Sequence, residues 1–306
     1  MDDDVVQPEE EVNVEVTPDG EEVVEVTDQN ETEDAFFSNL AEDLDDRVLS
    51  SLASQLITEY KKDRESRSEW EKGYTSGLDL LGFKYNNESQ PFKGASSVTH
   101  PLLSEAVTQF QAQAYKELLP SDGPVKTMVV GESNPQKEQQ AKRVKNFMNY
   151  MITEVMEEYT PEFDQLLFYL PLSGSAFKKV YYDDLMNRAV SKFIPAEDLV
   201  VPYYASDLKD CERITHLVKM SENDLLKKIA TGFYRDIEIY PTTSEDNEIK
   251  DKYNEMEGIT PPGDREHQFN VLEMHVDIDL DQFAVENAEK KVKVPYIVTV
   301  DEGSQK

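Results

Sequence analysis

Residues Phe269 to Leu280 read Phe-Asn-Val-Leu-Glu-Met-His-Val-Asp-Ile-Asp-Leu, and from Leu272 onward apolar and polar side chains alternate strictly. A period of two indicates a β-strand that packs one face on a core and turns the other to polar surroundings. We therefore predict a half-buried strand over this segment. Its predicted buried face consists of Leu272, Met274, Val276, Ile278 and Leu280.

The polar face of the same strand is the best candidate for metal chemistry in the chain. Carboxylates and an imidazole on one face of a strand could hold Mg²⁺ for phosphodiester cleavage. Any half-buried strand shows the same alternation, however, so we interpret this face as solvated. A Mg²⁺-dependent nuclease is kept as the lesser alternative. Its residues would be Glu273, His275, Asp277 and Asp279, with Asp281 next on the same face.

Helical periodicity dominates the chain before residue 174. Apolar residues recur every three or four positions over Phe36–Tyr74, over Thr99–Leu119, from Asn134 to Tyr159 and from Thr160 to Leu170. We expect an amphipathic helix in each segment. The predicted buried side of the third helix consists of Val144, Phe147, Met151, Val155 and Tyr159.

After these helices the period changes to two, which predicts a mostly antiparallel sheet. The expected strands, in addition to Phe269–Leu280, are Phe177–Tyr182, Ala189–Ile194, Leu199–Tyr204, Arg213–Met220 and Val294–Val300. A short helix is expected after Ser221. The predicted class is therefore α+β, with long amphipathic helices followed by the sheet.

Charge divides the chain unevenly. The formal net charge of the 306 residues is −32, and residues 1–46 contribute −19 of it, because they hold 19 acidic residues and no Lys or Arg. We predict an acidic disordered tail over residues 1–34, although alternating valines around Thr17–Gly20 also fit a hairpin. A mainly helical region over 35–173 follows, and then a β-rich region over 174–306 with a polar excursion at 241–268.

Several function classes find no support in the residues. The chain has no P-loop, no dinucleotide-binding glycine pattern and no nucleophile elbow. Cys211 is the single cysteine and lies between two acidic residues, which favours a structural role and a reducing cytoplasm. No apolar run is long enough to cross a bilayer. We predict that the protein is not an enzyme, with no catalytic, cofactor-binding or metal residues, no cofactor and no membrane partner.

Two groups of basic residues raise the question of nucleic-acid binding. The first surrounds Trp70 and is interleaved with acidic residues, and the second precedes the last strand. Basic and aromatic side chains on one helix can grip nucleic acid, but balanced charges more often pair along a helix surface, which is our interpretation. The first group is Lys61, Lys62, Arg64, Arg67 and Lys72, and the second is Lys290, Lys291 and Lys293.

Several linked stretches resemble one family. They are Pro91–Val107 (PFKGASSVTHPLLSEAV), Phe110–Ala114 (FQAQA), Pro120–Lys126 (PSDGPVK), Gly174–Tyr182 (GSAFKKVYY), Ile194–Tyr203 (IPAEDLVVPY) and Glu212–His216 (ERITH). Together they resemble the N-terminal half of tailed-bacteriophage portal proteins, in the long form typical of short-tailed phages. The resemblance covers about residues 40–300.

The resemblance implies a homo-oligomeric ring, usually a dodecamer, at one vertex of the virion capsid, assembled in the cytoplasm of the bacterial host. Double-stranded DNA passes through it during packaging and ejection without sequence-specific binding. Major capsid and scaffolding proteins surround it, terminase docks during packaging, and tail adaptor proteins dock afterwards. The helices and sheet would then belong to a portal-like wing region. The motor chemistry belongs to terminase in this family.

Two further expectations concern the last strand and the acidic tail. The strand Val294–Val300 is followed by a turn at Asp301–Ser304, and no returning strand comes after the turn. We therefore expect that this chain is the N-terminal fragment of a longer subunit and is truncated at its C-terminus. The alternative function from a different class is an acidic intracellular scaffold or adaptor that binds basic partners through the tail.

Overall fold

A computed structural model describes residues 12–16, 22–26, 39–82, 92, 94–95, 100–183, 186–240, 249, 252–253, 256, 268–280 and 292–306. The chain forms two compact units. The main unit comprises Ser50–Glu222 and Ile239–Lys306, and the small unit comprises Met1–Leu49 and Asn223–Glu238. Apart from residues 35–49 and 223–238, the predicted helical and β-rich regions therefore lie in one unit. No helix in the described part of the chain is long and apolar enough to cross a membrane.

Five helices precede the sheet among the described residues. They are α1 (Asp46–Ser66), α2 (Ser68–Leu81), α3 (Leu102–Leu118), α4 (Pro135–Tyr150, followed by a π-helical turn over Met151–Val155) and α5 (Tyr159–Ser173). The pattern over Phe36–Tyr74 predicted one helix, but the structure breaks it at Arg67 into α1 and α2. Pro171 does not end α5; Gly174 does, with the left-handed φ of 78° that favours glycine.

Two antiparallel sheets follow. One is the hairpin of β3 (Phe177–Asp183) and β4 (Arg188–Ile194), and the other has four strands in the order β5 (Leu199–Val200), β6 (Arg213–Ser221), β7 (Gln268–Ile278) and β8 (Val294–Asp301). The predicted α+β class is confirmed. The strand predicted over Leu199–Tyr204 shortens to its first two residues. In the loop that follows, Pro202 is buried and Tyr203 and Tyr204 are exposed.

The core of the main unit lies between α1 and the four-stranded sheet. Helical residues spaced three or four apart cover the even-numbered face of β7, as the alternation predicted. Leu280 lies beyond the end of the strand and is half-buried. The fully buried members of this core are Ala53, Leu56, Ile57, Tyr60, Val200, Leu272, Met274, Val276 and Val300.

The small unit contains a hairpin and a short helix. Strands β1 (Val12–Val16) and β2 (Glu22–Val26) pair in a register that places Val14 opposite Val24 and no acidic residue opposite another. Helix α6 (Glu222–Ala230) confirms the short helix expected after Ser221, and its Leu225 is buried. Residues 12–16 and 22–26 form the hairpin that the alternating valines also fitted, and the prediction of disorder is wrong for them. The remaining residues of the 1–34 tail lie outside the described residues, and their disorder stays a prediction.

The predicted polar excursion at 241–268 lies almost entirely outside the described residues. Three of its described side chains pack against α2. Ile249 is buried beside Tyr74 and Leu78, and Lys252 Nζ lies 2.7 Å from a carboxylate oxygen of Asp79. The hydroxyl groups of Tyr74 and Tyr253 are in contact. At these positions the excursion is anchored to the helical layer instead of being exposed.

Arg67, at the junction of α1 and α2, is buried and joins the helices to the sheet. Its guanidinium donates to three backbone carbonyls of the turn before β5: those of Ala196 at 3.0 Å, Glu197 at 2.6 Å and Leu199 at 2.8 Å. Only a planar guanidinium offers enough donors in a fixed fork for such a turn. Arg67 therefore belongs to the interior, not to the basic surface that the sequence suggested.

Replacing Arg67→Met is expected to lower the free energy of unfolding by roughly 3 kcal/mol, because three buried carbonyls lose their donors while packing volume is retained. Urea denaturation of the full chain measures the effect. Lys61→Met, at an exposed position of α1, is the matched control and should change stability by less than about 0.5 kcal/mol. Equal effects of the two substitutions would contradict the role of Arg67.

Candidate functional site

The polar face of β7 carries an ion pair at its centre. Lys179 of β3 contacts both carboxylate oxygens of Glu273, at 2.6 Å for Oε2. His275 Nε2 lies 3.4 Å from Glu273 Oε1. Glu273 is therefore half-buried and paired with a cation, and is not solvated as the sequence suggested.

The charges around Glu273 keep its carboxylate ionised, which makes it unsuited to proton transfer. Burial alone would raise the pKa of Glu273, but hydrogen bonds from His275 and Lys179 and the charge of Lys179 lower that pKa to about 2. Burial lowers the pKa of the neighbouring His216, and the charge of Lys179 lowers it further. A carboxylate that is ionised throughout the physiological range is a poor general base but a stable anchor for a strand.

The residues of the nuclease alternative are not assembled into a metal site in the part of the chain that the structure describes. Asp277 is exposed, Asp279 follows the end of β7, and Asp281 lies outside the described residues. Among the described residues, no group of three or more His, Cys, Asp or Glu side chains is placed to hold a metal ion. Glu273, His275 and Asp277 do lie on β7, as the strand prediction expected. The carboxylate of Glu273, however, is paired with the ammonium group of Lys179.

The surroundings of Cys211 fit the structural role that was predicted for it. Its thiol donates to the backbone carbonyl of Arg213 at 2.8 Å, and burial raises the pKa of the thiol. Because only the thiolate is a strong nucleophile, this environment suppresses its reactivity.

An open cleft of about 420 Å³ lies beside Cys211, on the outer part of the four-stranded sheet. Apolar groups of β6 and β8 form its wall, and Ile297 is two-thirds exposed. Carboxylates of Glu212 and Asp277 lie at this cleft, which we call the acidic cleft. Its main lining residues are Glu212, Ile214, His275, Asp277, Tyr296 and Ile297.

A second surface is formed by α4 and the extended segment before it. The stripe predicted as the buried side of this helix is wrong for Val144 and Phe147, which are 49% and 63% exposed. In the preceding segment, Met128 and Val130 are more than four-fifths exposed. Contiguous exposure of this kind marks an interaction surface. No residue of α4 is buried.

The extended segment is held against α4 by side-chain hydrogen bonds to its backbone. Asn149 Oδ1 accepts from Val125 N at 2.9 Å, and Asn149 Nδ2 donates to the carbonyl of the same residue at 3.2 Å. Gly123 makes this approach possible, since its φ is 91° and a Cβ there would lie 2.5 Å from Asn149. The exposed apolar residues thus belong to an ordered surface.

Basic residues accompany this apolar stripe. Four basic residues and one acidic residue give α4 a net charge of +3 in a chain that carries −32. At 100° per residue, Arg143 and Lys145 border the stripe of Val144, Phe147 and Met148 on opposite sides, whereas Lys142 lies on the far side of the helix. We call the stripe and its two bordering cations the α4 face.

The basic groups predicted from the sequence lie elsewhere. Lys61, Lys62 and Lys72 are exposed, and Arg64 is half-buried. Of the second group, Lys293 is exposed, and Lys290 and Lys291 lie outside the described residues. Sequence reasoning missed the α4 face, although the signal was present as a net positive helix in an acidic chain.

Glu197 is the most strongly perturbed acid of the turn held by Arg67. Its Oε2 is buried and accepts no hydrogen bond from any described residue. Burial raises the pKa of Glu197 to about 7, and the charge of Asp198 acts in the same direction. The folded state therefore binds a proton at Glu197 more tightly than the unfolded chain does.

Because of this raised pKa, the stabilisation from Glu197 is complete below about pH 4.5 and is lost as the pH rises to about 7. Glu197→Gln removes the titration, so we expect the variant to gain on the order of 2 kcal/mol over the parent at pH 8 and nothing at pH 4. Urea denaturation across pH 4–8 measures the difference. Glu65→Gln, at an exposed position of α1, is the matched control. A stability–pH profile that Glu197→Gln leaves the same as in the parent would contradict the assignment.

No protein-family model matches the chain, and no curated protein matches it significantly. The resemblance to portal proteins therefore rests on the stretches quoted above. The function has to be argued from those stretches and from the two surfaces of the main unit.

Proposed function

We propose that this chain is a subunit of a phage portal ring, the conduit at a capsid vertex through which double-stranded DNA is packaged and ejected. The observation that carries the proposal is the ordered apolar surface of α4 and its preceding segment, which the described residues of one copy leave uncovered. A subunit of a closed ring requires such a surface, because each copy must bury part of itself against its neighbours.

The positions of the portal-like stretches support the same proposal. The stretch Ile194–Tyr203 contains the turn that Arg67 holds. Gly174–Tyr182 contains β3 except for its last residue, and Glu212–His216 includes the first four residues of β6. These stretches lie at the joints between helices and sheet. A resemblance at positions where helices and sheet connect supports a shared architecture. The same number of similar residues scattered over the surface would support it less.

The charge of the chain suits a conduit. Each copy brings a net charge of −32, so an assembled ring is strongly anionic. An anionic wall repels phosphates and leaves no deep electrostatic well in which DNA would stall. In this proposal the protein passes DNA without reading its sequence, terminase supplies the motor chemistry, and capsid, scaffolding and tail adaptor proteins are its other partners in the virion.

Expression of the protein at full length tests the proposal. We expect rings of about twelve copies by negative-stain electron microscopy, with a matching mass by native mass spectrometry. A complete protein that stays monomeric at micromolar concentration would contradict the proposal and favour the scaffold or adaptor alternative.

A cleavage assay separates the conduit from the nuclease alternative. Purified protein with Mg²⁺ and linear double-stranded DNA should give no cleavage above background. Activity that disappears in both Asp277→Ala and Asp279→Ala, but not in Glu212→Ala, would overturn the proposal in favour of the nuclease.

A further inference from the structure

We propose that neighbouring copies of this chain meet head to tail, with the α4 face of one copy seated in the acidic cleft of the next. The inference rests on the proposed self-assembly and names the two surfaces that carry it. Both surfaces belong to the main unit, and they differ from each other in charge and shape.

The α4 face has the chemistry of an inserting element. Phe147 is 63% exposed and lies at the edge of the apolar stripe next to Arg143. Arg143, one turn before it, and Lys145, on the opposite border, provide positive charge on both sides. Arg143 is exposed and Lys145 is half-buried. An aromatic residue flanked by arginine is typical of the side chains that dominate protein interfaces.

The acidic cleft has the chemistry of a receiving element. Its apolar wall, with Ile214, Tyr296 and Ile297, offers contact area to an aromatic ring, and a volume of about 420 Å³ accommodates one with the side chains beside it. Glu212 and Asp277 provide two carboxylates at the same cleft. The adjoining loop, residues 203–212, has a net charge of −2 and exposes Tyr203 and Tyr204.

Charge complementarity selects a second copy as the occupant. The α4 face carries two cations around an apolar stripe, and the acidic cleft carries two carboxylates around an apolar wall. Charge and apolar area are therefore both complementary when one surface meets the other. Two copies of the α4 face repel each other, as do two copies of the cleft. The contact is therefore heterologous, and repeated contacts of this type close into a ring or extend as a filament.

Charge reversal on each side tests the contact in the 306-residue chain. Arg143→Glu/Lys145→Glu is expected to weaken self-association on the order of 100-fold, measured by sedimentation velocity across a concentration series. Glu212→Lys/Asp277→Lys should weaken it to a similar extent. Mixing the two variants, or combining all four substitutions in one chain, should restore association, because opposite charges face each other again.

Lys142→Glu is the matched control, since it reverses a charge of the same helix on the side away from the α4 face. It should leave association unchanged. Circular dichroism of each variant checks that α4 still folds, and restoration on mixing shows that both clefts and helices are intact. Loss of association in Lys142→Glu to the same extent would show a general charge effect and overturn the contact.

The remaining outcomes separate the contact from the portal proposal. Rings that survive both charge reversals would overturn the contact and leave the portal proposal standing. Association through these surfaces into a complex that is not a ring would support the contact and overturn the portal proposal. Double-stranded DNA binding that Arg143→Glu/Lys145→Glu abolishes, with self-association unchanged, would assign the α4 face to DNA and overturn the contact.

Discussion

The guanidinium of Arg67 connects the helical layer to the sheet by hydrogen bonds, and the position of the helices on the sheet depends on these bonds. It lies where α1 ends and α2 begins, and it donates to three carbonyls of the turn that leads into β5. A second tie joins the same helix to β6, where Arg213 lies 2.9 Å from Asp63 and 2.8 Å from Glu59. The two ties flank the apolar core between α1 and β7. Apolar contacts supply most of the free energy but little direction, whereas these directional bonds fix how the helix sits on the sheet.

The alternation of residues 272–278 was sufficient to predict β7 and the face that it buries, because a period of two admits only one assignment of sides. Arg67 could not be predicted in the same way. In sequence it lies among exposed basic residues, and only the return of the chain at residues 196–199 surrounds it. The break of the predicted Phe36–Tyr74 helix could not be predicted for the same reason. The apolar periodicity continues through Arg67, whereas the helix breaks there, where Arg67 contacts a segment that is distant in sequence.

Acidic residues in this chain serve the fold in ways that composition alone does not show. Glu162 Oε2 accepts a hydrogen bond from Phe193 N at 2.7 Å, and Glu158 Oε1 accepts from Ser191 N at 3.2 Å. The carboxylates of Glu158, which precedes α5, and of Glu162 in α5 thus satisfy backbone donors of β4, a strand that would otherwise present them to another chain. Together with Glu273, which Lys179 neutralises, they show that part of the net charge is committed to internal bonds.

The α4 stripe shows what helical periodicity can and cannot determine. The period identified the apolar side of the helix. It wrongly predicted burial of Val144 and Phe147, because a period specifies a face and not what covers it. The cations that border the stripe add the missing information. In a chain of −32, a helix of +3 next to exposed apolar residues is attracted to the acidic surfaces of other copies and repelled by its own equivalent. Such an arrangement disfavours a two-fold dimer through α4 and favours a contact with a direction, which is the requirement for a closed ring.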